Sequence, residues 1–168
     1  MSEVELLDGQ PVPLGFGPVD VAEIRAISGL EFLEGLRDRK FPLPTICRAM
    51  NIRFTEVDEG MVAMCGTPGD NYLNPLGVVH GGFMATMLDS ALGCSVHTLC
   101  PPGYGSTSID LRVNFVRAVR PETGRLFAKA TVVHPGRQIA TTEGRVTDEN
   151  GKLYAHGMQA CSIFKLPE

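Results

Sequence analysis

Tryptophan is absent from the 168 residues, and three tyrosines and eight phenylalanines bring aromatics to only 7%. So few flat side chains do not make the row of stacking platforms that single-stranded nucleic acid requires. A basic excess is also missing. Fifteen Lys/Arg stand against nineteen Asp/Glu, a net charge of −4, which excludes the basic face of a duplex-DNA binder. Cysteine is sparse: Cys47, Cys65, Cys94, Cys100 and Cys161, an odd set without a C-x-x-C pair. That excludes a disulfide framework or paired-thiolate zinc site and predicts a reduced, cytoplasmic protein. The opening MSEVELLDGQ is acidic and lacks the apolar core of a secretory leader. The uncharged runs 71–88 and 90–109 contain Pro or Gly plus Asn or His, and Asp89 separates them, so no membrane span is expected. Glycine and proline make up 31 of the 168 residues without period, and no repeat is visible.

What remains is an ordinary globular composition, 43% hydrophobic and 20% charged. The length suits one domain that buries roughly 70% of its unfolded surface. Charge is uneven. Residues 1–100 carry 6 basic and 13 acidic side chains, and residues 101–168 carry 9 and 6. The basic window 112–152 would suit one small polyanion such as a nucleotide-bearing molecule, although on composition alone scattered solvated charge is the favoured reading.

Residues 1–18 read as a poorly ordered arm. From Asp20, apolar residues recur every third position (Val21, Ile24, Ile27, Leu30, Leu33, Leu36), with acids early and Arg37, Arg39 and Lys40 late. This predicts a helix, or two short ones divided at Gly29 or Gly35. The segment FPLPT at 41–45 breaks it. Residues 50–67 read as a hairpin about Asp58-Glu59-Gly60. Phe83 to Leu99 is apolar nearly all round, the mark of a buried helix. Strands follow at 108–116, 125–134, 138–147 and 152–164, joined by short turns. In the first of these, period two puts Ser108 on the face opposite Ile109 and Leu111. The expected fold is α+β: about six antiparallel strands curved around one long helix, with residues 1–45 as an N-terminal arm and helical extension and 46–168 as the main domain.

The chemistry concentrates at one place. Asn74-Pro75-Leu76-Gly77-Val78-Val79-His80-Gly81-Gly82 leads into the long helix. The first N–H groups of a helix lack intrahelical partners and lie at the positive end of its dipole. Gly81 and Gly82 can therefore donate to a carbonyl oxygen that gains charge during acyl transfer. A tight loop-to-helix turn would need the same glycines. Asp89 is the only charged residue between Asp70 and Asp110, and a carboxylate within an apolar helix is costly unless paired or functional. Gly81 and Asp89 lie eight residues apart, about 12 Å along a helix. One Asp cannot reach a carbonyl held at its own helix start, so the two converge only across a symmetric dimer. His80 is placed to fix the turn, or less simply to act as base. His97, His134 and His156 show no ligand spacing, so no metal is expected. Ser90 and Ser95 lack a G-x-S-x-G context, and the glycines match neither a P-loop nor a dinucleotide fingerprint.

The stretches NPLGVVHGGFMATMLDSALG, STSIDLRVNFVRAV and GKLYAHGMQACSIF resemble the hotdog-fold acyl-CoA thioesterases of the phenylacetic-acid-degradation (PaaI-like) family, over about residues 45–165. The resemblance implies that the Gly81 amide polarises the thioester carbonyl and that Asp89 of the opposite subunit acts as general base or nucleophile. Asn74 would orient water or thioester, His80 would brace the turn, and Ser108 would assist near the carboxylate. Gly82 and Phe83 would lie against substrate, and Arg137, with Arg117 second, would grip the coenzyme A phosphates. Coenzyme A would be part of the substrate rather than a cofactor. The assembly would be a homodimer at least, and a homotetramer as two dimers, without nucleic acid or membrane partners. Phe83, Met84, Met87 and Leu88 could line an adaptable pocket for aryl or medium-chain acyl groups. Two other readings use the same fold: a hydratase or dehydratase, which needs a His beside the carboxylate, and a non-catalytic acyl-CoA binder.

Overall fold

A computed structural model describes residues 14–167. The expected arm is described only from Leu14. Its earlier residues lie outside the described range, but Phe16 bridges to Leu43 in a short parallel pairing. Three short helices follow: α1 (Val21–Arg25), α2 (Gly29–Arg37) and α3 (Thr45–Ala49). Gly29 begins α2 rather than interrupting it, and Ser28 and Glu31 close a reciprocal capping box at its start. The short α3 was hidden by its prolines: Pro44 is its N-cap residue, a boundary where proline's missing N–H costs nothing.

Strands β1 (Ile52–Asp58) and β2 (Met61–Gly66) form the expected hairpin. Gly60 turns it at φ +74°, a left-handed conformation that suits glycine. The long helix α4 spans Gly81–His97. Then come β3 (Tyr104–Ser108), β4 (Arg112–Phe115), β5 (Leu126–His134), β6 (Ile139–Asp148) and β7 (Leu153–Lys165). All pair antiparallel in one sheet of order β1-β2-β5-β6-β7-β3, with β4 also on β7. The sheet curves around α4, as the hotdog architecture requires.

Two expectations change. The strand foreseen over 108–116 is split. At the break, the Ile109 N–H donates to the Ala160 carbonyl at 2.8 Å. The Asp110 carboxylate accepts from the Ala160 N–H at 2.8 Å, so a side chain stands in for the ladder. The long helix is not buried all round. Phe83, Met84, Met87, Leu88, Ala91, Leu92, Ser95 and Val96 are buried, but Asp89 is exposed and Gly82, Ala85, Thr86 and Gly93 are half-buried. These residues recur at helical spacing and form a stripe of small side chains on one flank.

Candidate active site

The loop before α4 is built by its own polar groups. Asn74 Oδ1 accepts from the N–H groups of Leu76 at 2.9 Å and Val78 at 3.3 Å. The Gly77 N–H donates to the Asn74 carbonyl at 3.0 Å. The Asn74 carbonyl amide is therefore committed to the turn. His80 is the N-cap of α4, and its Nδ1 accepts from the Gly82 N–H at 2.9 Å. The expected brace is in place, and it withdraws Gly82 from the expected pair of oxyanion donors. The Phe83 N–H bonds the His80 carbonyl at 3.0 Å. The Gly81 N–H, by contrast, has no acceptor among the described residues.

A shallow cavity of about 350 Å³ opens over that amide, lined by Gly81, Met84, Phe115 and Arg117 among others. Phe115 covers the glycine so closely that a Cβ on Gly81 would lie 3.1 Å from its ring. Arg117 stands at this end, stacked over the Tyr154 ring at 5.9 Å. Arg137 is elsewhere. It shares a separate cavity of about 680 Å³ with Tyr104, Phe164 and Lys165. Phe83 is not against this space: its ring is buried and packs on Tyr72 at 5.1 Å between centroids. Met87 and Leu88 are likewise core, with no exposure. Of the four apolar side chains expected to line a pocket, Met84 alone does so here, because the helix turns the others into the sheet.

Asp89 sits two turns further on and is neither buried nor unpaired. Gln159 Nε2 donates to Asp89 Oδ1 at 2.6 Å, and Ser108 Oγ donates to the same oxygen at 3.2 Å. Ser108 therefore faces the helix, the reverse of what Ile109 and Leu111 suggested. Those two apolar side chains point outward, with Ile109 55% exposed. Gln159 was missed. It is 2% exposed, on an inward position of β7, and its Oε1 accepts from Cys161 Sγ at 3.4 Å. The signal lay in strand phase: a lone amide at a core-facing position, opposite the helix that carries the lone carboxylate.

The remaining nucleophile candidates are inert. Burial pushes the Cys47 and Cys94 thiols up to about 12, and Cys100 and Cys161 to about 11, far from the thiolate form. Among the described residues no three His, Cys, Asp or Glu side chains gather as a metal site, and no helix is long and apolar enough to cross a membrane.

Residues 76–155, which span the Gly81 loop, α4 and most of the sheet, match the thioesterase superfamily. A Haemophilus influenzae protein named as an esterase is 30% identical over 95 residues, covering 56% of this chain and 67% of that protein. The fold matches a phenylacetic acid degradation-related protein of Ralstonia eutropha (TM-score 0.71, 24% identity, 78% of this chain and 98% of that one). It also matches the E. coli PaaI protein (TM-score 0.68, 19% identity, 83% and 97%). With this sequence similarity laid over a sheet curved around α4, the chain belongs to the thioesterase superfamily.

Proposed function

We propose that the protein hydrolyses acyl-coenzyme A thioesters to free acid and coenzyme A, at sites shared between two protomers. The observation that carries this reading is the separation on α4 of an open amide at Gly81 and a hydrogen-bonded carboxylate at Asp89. Eight residues of helix, about 12 Å, keep them from one carbonyl. An antiparallel partner helix brings Asp89 of one protomer to Gly81 of the other. The stripe of small residues beside Asp89 permits such an approach, and the outward Ile109 and Phe115, 55% and 52% exposed, supply apolar surface along the same edge. A homotetramer follows if two such dimers associate.

In this reading Asp89 takes a proton from an attacking water, or attacks the thioester carbon itself. The carbonyl π electrons move to oxygen, where the Gly81 N–H receives the charge. Collapse expels coenzyme A as thiolate; on the first route the proton on Asp89 passes to solvent or to the thiolate, and on the second water hydrolyses the mixed anhydride, releasing the acid and restoring the Asp89 carboxylate. Gln159 and Ser108 fix the carboxylate. His80 and Asn74 hold the Gly81 loop, and Arg117 and Arg137 meet the coenzyme's phosphates. The hydratase alternative needs an imidazole beside Asp89, whereas its hydrogen-bond partners are an amide and a hydroxyl.

The test is release of free thiol from a panel of acyl-CoAs by the wild-type protein and by Asp89→Asn. Thiol release that Asp89→Asn abolishes supports the proposal. Tight acyl-CoA binding without turnover would favour a non-catalytic binder.

A further inference from the structure

Residues 20–44 precede the segment matched by the superfamily, 76–155, yet α2 is built into the core. Leu33 and Leu36 are each 2% exposed. The Gly29 N–H donates to the Cys100 carbonyl at 2.9 Å. A Cβ on Gly29 would lie 1.8 Å from the His97 carbonyl oxygen, so only glycine lets α2 dock on the C-terminal end of α4.

That docking forms one side of an open cavity of about 340 Å³ between α2 (Phe32, Leu36), β1 (Phe54), α4 (Gly93, His97) and β3 (Ser108). The two edge strands of the sheet contribute to the same space, and α2 closes the seam between them. The cavity adjoins the candidate active site directly. Ser108 forms part of its wall and donates to Asp89 at 3.2 Å. Gly93 is one turn beyond Asp89 on the same face of α4.

We propose that this cavity receives the acyl group, and that the N-terminal helix α2, which precedes the matched segment, sets which acyl groups fit. The inference rests on the acyl-CoA hydrolysis proposed above. The volume is near the low end of the ~300–1,000 Å³ range of small-molecule pockets, so one ring or a short chain fills it. The α2 and β1 walls are apolar, and the polar groups are His97 and the β3 residues Ser106, Thr107 and Ser108. His97 Nδ1 lies 3.3 Å from Ser106 Oγ. Its Nε2 is buried, out of reach of that open space, with no hydrogen-bond partner among the described residues. Burial also lowers its pKa, which keeps the ring neutral. The cavity thus favours a short acyl group.

Gly93→Ala is the decisive variant. A Cβ there meets Gln159 Oε1 at 3.5 Å and Ser108 Oγ at 3.6 Å, ordinary contacts, and alanine favours the helix, so the fold is retained while the mouth narrows. Phe32→Ala widens the opposite wall. The readout is the ratio of kcat/KM for hexanoyl-CoA to that for acetyl-CoA, with octanoyl-CoA added. Gly93→Ala should lower the hexanoyl-to-acetyl ratio at least tenfold, and Phe32→Ala should raise the octanoyl-to-hexanoyl ratio by a similar factor. Ratios within twofold of wild type in folded Gly93→Ala would overturn the proposal, whether or not Phe32→Ala folds. Affinities of Asp89→Asn and Asp89→Asn/Gly93→Ala for acetyl- and hexanoyl-CoA, measured by calorimetry, read the same discrimination without turnover. A failure of hydrolysis is thereby separated from a failure of the cavity assignment.

Discussion

Gln159 Nε2 lies 2.6 Å from Asp89 Oδ1, so an amide held in the sheet fixes the one carboxylate of the long helix. A donor to an ionised acceptor is among the stronger hydrogen bonds, and this one is anchored on a side chain that solvent scarcely reaches. Gln159→Leu keeps the volume and removes the donor. We expect kcat to fall about tenfold or more with KM nearly unchanged, since orientation of the carboxylate matters in the transition state. Stopped-flow thiol release with acetyl-CoA measures both. An equal loss in KM would make Gln159 a substrate contact instead.

Asp89→Asn preserves shape and an oxygen that still accepts from Gln159 and Ser108. Its folding should be close to wild type, because the carboxylate it replaces is exposed and hydrogen-bonded. Turnover should drop at least ~10²-fold, the scale for losing a positioned base. Solvent-oxygen labelling in a single turnover marks an anhydride by oxygen-18 in the Asp89 carboxylate, and where the label enters the acid alone, hydroxylamine trapping of an acyl-enzyme separates the anhydride from direct water attack.

Gly81→Pro deletes one N–H and little else. Gly81 is the first residue of α4, where proline is tolerated. His80 before it has φ −61° and ψ 136°, a conformation compatible with a following proline. The added ring crowds Phe115, which is exposed and free to turn. Gly81→Ala brings the same crowding with the N–H intact. The proline variant should lose about 10²–10³-fold in kcat, as for an oxyanion donor, and the alanine variant far less. Equal losses would point to Phe115 rather than the amide.

Mixing Gly81→Pro with Asp89→Asn distinguishes a shared site from a site within one chain. In a mixed dimer one site receives the intact Gly81 and the intact Asp89, and the other receives neither. Statistical exchange should restore about a quarter of wild-type activity. Two inactive parents that stay inactive after exchange would locate both groups in the same protomer or elsewhere.

His97 makes stability depend on pH. Burial lowers its pKa below the ordinary 6.5, so the unfolded chain binds a proton that the folded chain refuses. Stability is therefore full above about 6.5 and falls as pH drops from there toward the depressed folded value. Denaturant unfolding between pH 7.5 and 5 should show this loss in the wild type and a smaller one in His97→Asn. Parallel pH dependence in the two proteins would refute the assignment.

Much of this was legible from residue order. The helix over 81–97 and most strands of the sheet followed from periodicity and turn residues, and Gly81 and Asp89 stood out as a glycine at a helix start and a lone charge in an apolar helix. Ser108 was misread on residue pattern because the reading assumed that Ile109 and Leu111 face the core, whereas they face outward along an edge. Gln159 escaped because its neighbour Met158 is the more apolar of the two, yet Met158 is 54% exposed and Gln159 buried. Strand phase is set by which side the long helix covers, and hydrophobicity alone misassigned it. The cavity under α2 was beyond reach, since it arises from segments some seventy residues apart in sequence, Phe32 and Ser108 among them.

The break at Asp110 has a consequence for colloidal behaviour. A straight, apolar sheet edge is a template onto which any extended chain can add, the first step toward fibrils. Here the outer edge is cut into five residues of β3 and four of β4, and the carboxylate between them already occupies the Ala160 N–H. An arbitrary strand meets a kink and a fixed negative charge after one or two residue pairs. A partner shaped to the same kink meets neither obstacle. The edge can thus expose Ile109 and Phe115 for a matching surface while remaining a poor seed for indiscriminate strand addition.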